Sequence, residues 1–519
     1  MARSLLGILV VAVLASSAGA DDDAPYVPPD FMAQLPPLPP NVDANEVWKL
    51  DLAQALQVAI HQNLGVVLER ESVRAAGLGI DVAKGEFEPV VTATVDHISA
   101  DTPLASTQAA VAGDQAGQII TNKEDDWRLS LADRLETGTQ LEVDFINGRA
   151  LTAGAIVEPL NYNSTVQASV TQPLLRGFST DLVVPRIDVL RAKIASKRER
   201  AQLAVTAAAV VQRTEDAYWD LVLALFSYDL QIRSQRRADE QLALTHRQID
   251  AGLMPPSDLI SAESTLAQRK LQVVQAEQQI DATSDALRSV LNLPREQWSR
   301  PILPIDLPTF VTAAASAEDA LGVALKHRPE LVQLDLDLES ALLAVRQAEN
   351  AKLPQLDLGL TAQLFGDDAT YNGSLGGIGR ADATGYSVVL NFSWTPLQRA
   401  TSATAEIQRA NQRQAVVRRE QTVQDVWFAV RDAVRNQSSA ARQVLAAAKF
   451  RTLSTENLEI EQRKFVAGTS SNFLVAQRQE ELASAQLAEL SAVLGHKKAT
   501  AALLLAMGTL LEARHVLLQ

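Results

Sequence analysis

The sequence predicts a mainly α-helical chain with a membrane β-sheet, built from two copies of one unit. Three observations predict this fold class: motifs that recur in the same order at near-constant spacing, two long windows of strong helix formers, and short stretches of strict apolar–polar alternation.

The repeat comes first. "LAQALQVAIHQN", from Leu52, aligns without gaps on "AEDALGVALKHR", from Ala317, so that Ala55, Leu56 and Ala59 fall on Ala320, Leu321 and Ala324. The same offset carries Pro89 onto Pro354. Further on, "QPLLR" (Gln172–Arg176) matches "TPLQR" (Thr395–Arg399), and Gly252, Leu259 and Leu266 fall on Gly468, Val475 and Leu482 at one shared offset. Gapless matches in one order imply duplication. The chain divides into a signal peptide (1–20), a Pro-rich linker (21–50), repeat 1 (51–294), an inter-repeat linker (295–316), repeat 2 (317–510) and a C-terminal tail (511–519).

The N-terminus supports export. Arg3 precedes a short apolar run, Leu5 to Leu14, and Ala18-Gly19-Ala20 is a small-residue cleavage site. The apolar run is well short of the ~20 residues that a spanning helix needs. No later window is long and apolar enough to span as a helix, so a membrane crossing would have to be a β-barrel. The chain has no Cys, which removes disulfides, thiolate metal sites and an N-terminal lipid anchor together. "YVPPDFMAQLPPLPP" (Tyr26–Pro40) is expected to be extended and to wrap the outside of the barrel.

Each repeat then reads helix, strands, very long helix, Gly corner, helix. The first helix covers Leu52–Glu86, and its counterpart Ala317–Lys352. The long helices run from about Asp181 to Ala251 and from about Ser402 to Ala467. Both windows lack Gly, and Pro185 lies where a first turn tolerates it. At ~1.5 Å per residue, seventy residues reach about 105 Å, which points to a coiled coil. Ile187, Leu190, Ile194, Ala201, Ala204 and Ala208 hold a and d positions of one heptad frame, which Lys197 and Glu215 interrupt.

The strands follow each Pro. After Pro354, Leu356, Leu358, Leu360, Ala362 and Leu364 alternate with polar or small residues. "YSVVLNFSW" alternates likewise from Tyr386 to Trp394. The first copy offers Val91/Ala93/Val95 and Ser164/Val166/Ala168/Val170, with an extra hairpin turning near "ETGT" between Trp127/Leu129/Leu131 and Leu141/Val143/Phe145. A soluble sheet with one wet face also alternates. Strand lengths near the ~9–11 residues of a tilted spanning strand, aromatics beside the strands, and long polar connections (Asp101–Asp126, Gly366–Thr384) favour a membrane wall. Open edges cannot sit in lipid, so several copies must share one barrel, each giving four strands, or six if the extra hairpin joins.

These features together resemble the TolC-type outer membrane efflux proteins. The resemblance rests on the duplicated units, "QPLLRGF" after a strand, and the spacing of Gly and apolar residues after each long helix, and it spans nearly all of residues 51–510. It implies a homotrimer in which an outer-membrane β-barrel continues into a long periplasmic α-helical coiled-coil barrel. It further implies a passive exit duct of a tripartite efflux or type I secretion system, docked to a periplasmic adaptor (membrane fusion) protein and an inner-membrane RND, MFS or ABC transporter.

Under that resemblance the Gly corners form the periplasmic tip. Gly252, Pro255, Pro256, Gly468, Ser470 and Ser471 are the candidate turn and adaptor-docking residues. Ser257 or Asp258 is expected to cap one outgoing helix, and Ser470, Ser471 or Asn472 the other. Many relatives carry Asp six and nine residues after the second Gly; here those positions hold Leu474 and Gln477, against Asp258 and Ser261 in the first copy. The expected pore constriction therefore comprises Asp258, Ser261, Leu474 and Gln477.

Other classes find little support. The net charge of −15, with no basic stripe, argues against a nucleic-acid partner. The six His lack metal-ligand spacing, and no phosphate loop or nucleophile–base motif is present, so no catalytic residue, metal or cofactor is expected. Glu215 and Asp216 are read as solvated charges on the coiled coil. The rival class is a periplasmic coiled-coil structural or adaptor protein, which needs no alternating strands.

Overall fold

The computed structural model describes residues 26, 28–36, 47–103, 119–154, 160–251, 255–311 and 316–518. The expected signal peptide, 1–20, and Gly252 lie outside these residues. In chain order the elements are β1 (Trp48–Leu50), α1 (Leu52–Gln62), α2 (Leu64–Lys84), β2 (Val90–Pro103), β3 (Ile119–Arg134), β4 (Gln140–Gly154), β5 (Asn161–Pro173), α3 (Ile187–Asp250) and α4 (Ser257–Leu291). There follow β6 (Ile302–Pro304), α5 (Ala317–His327), α6 (Pro329–Asn350), β7 (Gln355–Asp368), α7 (Tyr371–Arg380), β8 (Ala383–Ser393), α8 (Arg399–Val466), α9 (Asn472–Ala506) and α10 (Leu510–Ala513).

Local chemistry explains where these elements depart from expectation. The helix expected over Leu52–Glu86 breaks at Asn63, whose side-chain amide donates to the Val290 carbonyl and whose Oδ1 accepts from Gly65 N–H. Its counterpart breaks at Arg328, in extended conformation (ψ 121°), because the following Pro329 disfavours helical backbone there. The long helix α3 begins at Ile187, two residues beyond Pro185, rather than at Asp181. Helices α4 and α9 are each 35 residues long.

The chain forms two compact units, residues 1–73, 199–333 and 419–519 in one, and 74–198 and 334–418 in the other. Each unit draws on both halves of the sequence.

The first unit holds the main apolar core. Leu50, Leu56, Tyr218, Phe226, Leu287 and Leu490 are 2% exposed or less. Beside them β1 and β6 pair in parallel, Trp48 opposite Ile302. The Pro-rich segment is anchored here: Phe31 and Met32, in a 3₁₀ turn, join this core. Glu215 is fully buried and its carboxylate accepts both Nε–H and Nη–H bonds from Arg514, at 3.0 and 2.6 Å. This corrects the reading of Glu215 as a solvated charge: the partner lies 299 residues away, and a buried carboxylate persists only when paired. Asp216 is half-buried, and desolvation raises its pKa.

The second unit holds one six-stranded antiparallel sheet in the order β2-β3-β4-β5-β7-β8. The extra hairpin belongs to it, so residues 90–173 give four strands and residues 355–393 give two. The β3–β4 turn closes with Leu135 N–H donating to the Thr139 carbonyl, and Gly138 takes φ +87°. The described parts of the two expected loops are regular structure, while residues 104–118 lie outside the described residues. Asp101–Pro103 and Ile119–Asp126 extend β2 and β3, and α7 lies between β7 and β8. Helix α7 sits against β7 and β5: a Cβ on Gly366 would fall 1.8 Å from the Ser374 carbonyl oxygen, and Ser374 shares a 2.9 Å hydroxyl hydrogen bond with Ser164.

Candidate functional site

Two places carry the chemistry, each within one unit: the helix corners and the faces of the sheet.

At the second corner, α8 ends with Gly468 in left-handed backbone, φ +75°, while Gly468 N–H and Thr469 N–H donate to the Phe465 and Lys464 carbonyls. This is the usual way a helix ends on Gly, and a Cβ would meet nothing nearby, so the constraint is the backbone angle alone. Ser471 caps α9, its hydroxyl accepting from Leu474 N–H at 3.4 Å. Ser470 donates to Glu461 at 2.5 Å, and this bond, with Lys464 nearby, holds the Glu461 carboxyl below its usual range. At the first corner the expected side-chain cap is absent. Pro256 occupies the cap position in helical backbone without a side-chain hydrogen bond, and Ser257 and Asp258 already lie in the first turn of α4. Asp258 there favours the helix through the macrodipole instead of through a cap.

The corners are tied together by contacts that one sequence could not disclose. Asn472 is 9% exposed; its Oδ1 accepts from Gln241 at 2.7 Å and its amide donates to the Thr245 hydroxyl at 3.2 Å, joining α9 to α3. Arg269 on α4, 5% exposed, pairs with Glu480 on α9. Leu458, Phe465, Val475 and Leu482 form a separate apolar cluster beneath the corner. Ser261, Asn472 and Phe473 line one small cavity of about 40 Å³. Leu474 is 39% exposed, Gln477 and Ser261 are also exposed, and Asp258 is half-buried. Among the described residues no hydrogen bond or ion pair joins the Asp258 side chain to the second corner. The only signal in the sequence for Asn472 is its place in "TSSN", because its partners lie more than 220 residues away.

The sheet has two unlike faces. Cross-strand register puts Ala93, Leu129, Phe145, Val166 and Leu364 in one row, and Val91, Leu131, Val143, Ala168, Ala362 and Tyr386 in the next. Trp127 and Phe145 meet edge to face at 4.9 Å within this apolar band. Side chains of the intervening residues point the other way and are mostly polar: Asp96, Glu124, Asp126, Glu142, Asp144 and Asp357 lie there, with Arg128 among them. Among the described residues no further strand pairs with either edge. Val95 on β2 is 81% exposed and Tyr386 on β8 is 88% exposed, against 45% for Val143 inside the sheet.

Among the described residues there is no metal-binding cluster of His, Cys, Asp or Glu, and no helix is long and apolar enough to cross a membrane.

Residues 320–509 match the family model described as outer membrane efflux protein. The fold agrees over nearly the full length. The outer-membrane channel OprN superposes with TM-score 0.64 at 15% identity, covering 96% of this chain and 99% of that one. The Campylobacter jejuni CmeC outer membrane channel gives 0.63 at 14%, covering 96% and 95%. The open-state Neisseria gonorrhoeae MtrE outer membrane channel gives 0.60 at 15%, covering 88% and 89%. No curated protein matches the sequence.

Proposed function

We propose that the protein is the outer-membrane exit duct of an efflux or secretion assembly. Three copies share one β-barrel, their helices continue it into the periplasm, and the corners form its inner end. The observation that carries this reading is the sheet. An apolar face a few residues tall, a polar face behind it and two bare edges suit a wall between lipid and water that is completed by other copies. A soluble coiled-coil adaptor has no use for such a surface.

In this reading the duct is passive, and the energy comes from an inner-membrane transporter reached through a periplasmic adaptor. The corners dock the adaptor through the turns around Pro255, Pro256, Gly468, Ser470 and Ser471. Leu474 and Asp258, with Ser261 and Gln477, narrow the lumen. The domain match to outer membrane efflux proteins and the shared fold with OprN and CmeC support the assignment.

Fractionation tests it. The protein is expected in outer-membrane extracts as a trimer that withstands detergent and dissociates on heating. A wholly soluble monomer would sink the proposal and favour the coiled-coil alternative.

A further inference from the structure

The six strands do more than outline a wall; their register fixes how the wall closes. Every neighbouring pair is antiparallel, so with six strands the two edges, β2 and β8, run in opposite directions. The β8 edge of one copy therefore meets the β2 edge of the next in antiparallel sense, however many copies take part.

The strands are also staggered. Val90, at the base of β2, faces Ala132, two residues short of the base of β3. The bases of β3 and β4 are level, Arg134 facing Gln140. The base of β5 drops two residues below that of β4, where Gln140 faces Thr171. The base of β7 drops two more, where Pro173 faces Asp357, and β8 is level with it, Ser393 facing Gln355. The apolar band slides the same way, from Val91, Ala93 and Val95 on β2 to Phe392, Leu390, Val388 and Tyr386 on β8. Both measures give about one residue of stagger per strand. With ~3.4 Å per residue and ~4.8 Å between strands, that is a tilt of about 35°, the lower end of the range for membrane barrels.

We propose that β8 of one copy pairs with β2 of the next with Ser393 opposite Val90, so that three copies close a barrel of eighteen strands, six from each. This rests on the trimeric duct proposed above and adds the strand number and the register. The register keeps the bases of the two strands level and matches all of β8, Ala383–Ser393, to the first part of β2. It sets Leu390 against Ala93 and Val388 against Val95 on the apolar face, and Asn391 against Thr92 and Ser387 against Asp96 on the polar face. No like charges oppose each other. Eighteen strands make the barrel about one and a half times as wide as four strands from each copy would.

The chain contains no Cys, so introduced pairs report cleanly. The variant carrying Ala93→Cys and Leu390→Cys, oxidised in membranes, is expected to give covalent dimers and trimers that survive boiling and collapse to monomers with reductant. Either substitution alone gives none. Cross-linking of Ala93→Cys with Phe392→Cys or Val388→Cys in preference to Leu390→Cys would overturn the register. Heat-dissociable trimers that cross-link with none of the three would overturn edge pairing while leaving the duct intact. A chain without substitutions that forms no membrane oligomer overturns both proposals. Electron cryo-microscopy of the unsubstituted oligomer, viewed down its axis, supplies the count directly: eighteen strands support the closure and twelve refute it.

Discussion

Asn472 shows how much one side chain can settle. It begins α9, sits 9% exposed, and bonds to Gln241 and Thr245 on α3. Each such bond contributes about 0.5–1.5 kcal/mol net, but leaving its buried partners unmet costs more. The next residues, Phe473 and Leu474, are 69% and 39% exposed. That is the basis for a functional prediction. If Leu474 lines the proposed constriction, Leu474→Ser is expected to raise single-channel conductance in planar bilayers without changing assembly; equal conductance would remove Leu474 from it. At this scale the sequence is half legible. Gly468 and Ser471 can be read as corner residues because turn geometry is local. Glu215 reads wrongly and Asn472 only faintly, because their partners are hundreds of residues away.

Among the elements, the packing of α9 against the N-terminal segment contains a titrating group. His496 is 5% exposed, and Phe310 lies edge to face on it at 4.8 Å, with Tyr26 on Phe310 at 5.5 Å. Burial first, and the Lys497 charge second, lower the His496 pKa below 6.5. The folded chain thus binds fewer protons there than the unfolded one. Its contribution to stability is complete above pH 6.5 and is lost as pH falls through the folded pKa. Nearby Glu489, raised mainly by burial, acts in the opposite sense above its ordinary range. Melting temperature measured from pH 8 down to pH 5.5 is expected to fall more steeply for the native protein than for His496→Gln; parallel curves would show that the ring does not titrate. The elements themselves are largely foreseeable. Pro354 and the alternation after it mark β7, and the absence of Gly marks α3 and α8. The outer parts of β2 and β3 resemble loop in the sequence because residues such as Lys123 to Asp126 are charged on both faces; hydrogen bonding to neighbouring strands, not side-chain pattern, makes them strand.

Across the whole molecule, the polar face of the sheet gives the acidic composition a location. Asp96, Glu124, Asp126, Glu142, Asp144 and Asp357 share that face with Arg128, and the chain carries −15 overall. In the proposed duct, a lumen lined this way would attract cations at ionic strengths where the Debye length is ~10 Å or more. Reversal potentials across a salt gradient are therefore expected to show cation preference that weakens as salt rises, and anion preference would refute an acidic lining. What the sequence does not disclose at this scale is the number of strands. Trp127–Leu131 and Leu141–Phe145 read as a hairpin, but whether that hairpin joins the sheet depends on pairing with β2 and β5.

The alternation of strand direction has a consequence for how such walls change in evolution. Adding a single strand to this chain would leave both edges running the same way, and copies could no longer join antiparallel. Only hairpins can be gained or lost, one pair at a time in every copy. In a closed ring of three chains the calibre of the wall is thus quantised: it changes by six strands or not at all, and the β3–β4 hairpin is one such quantum.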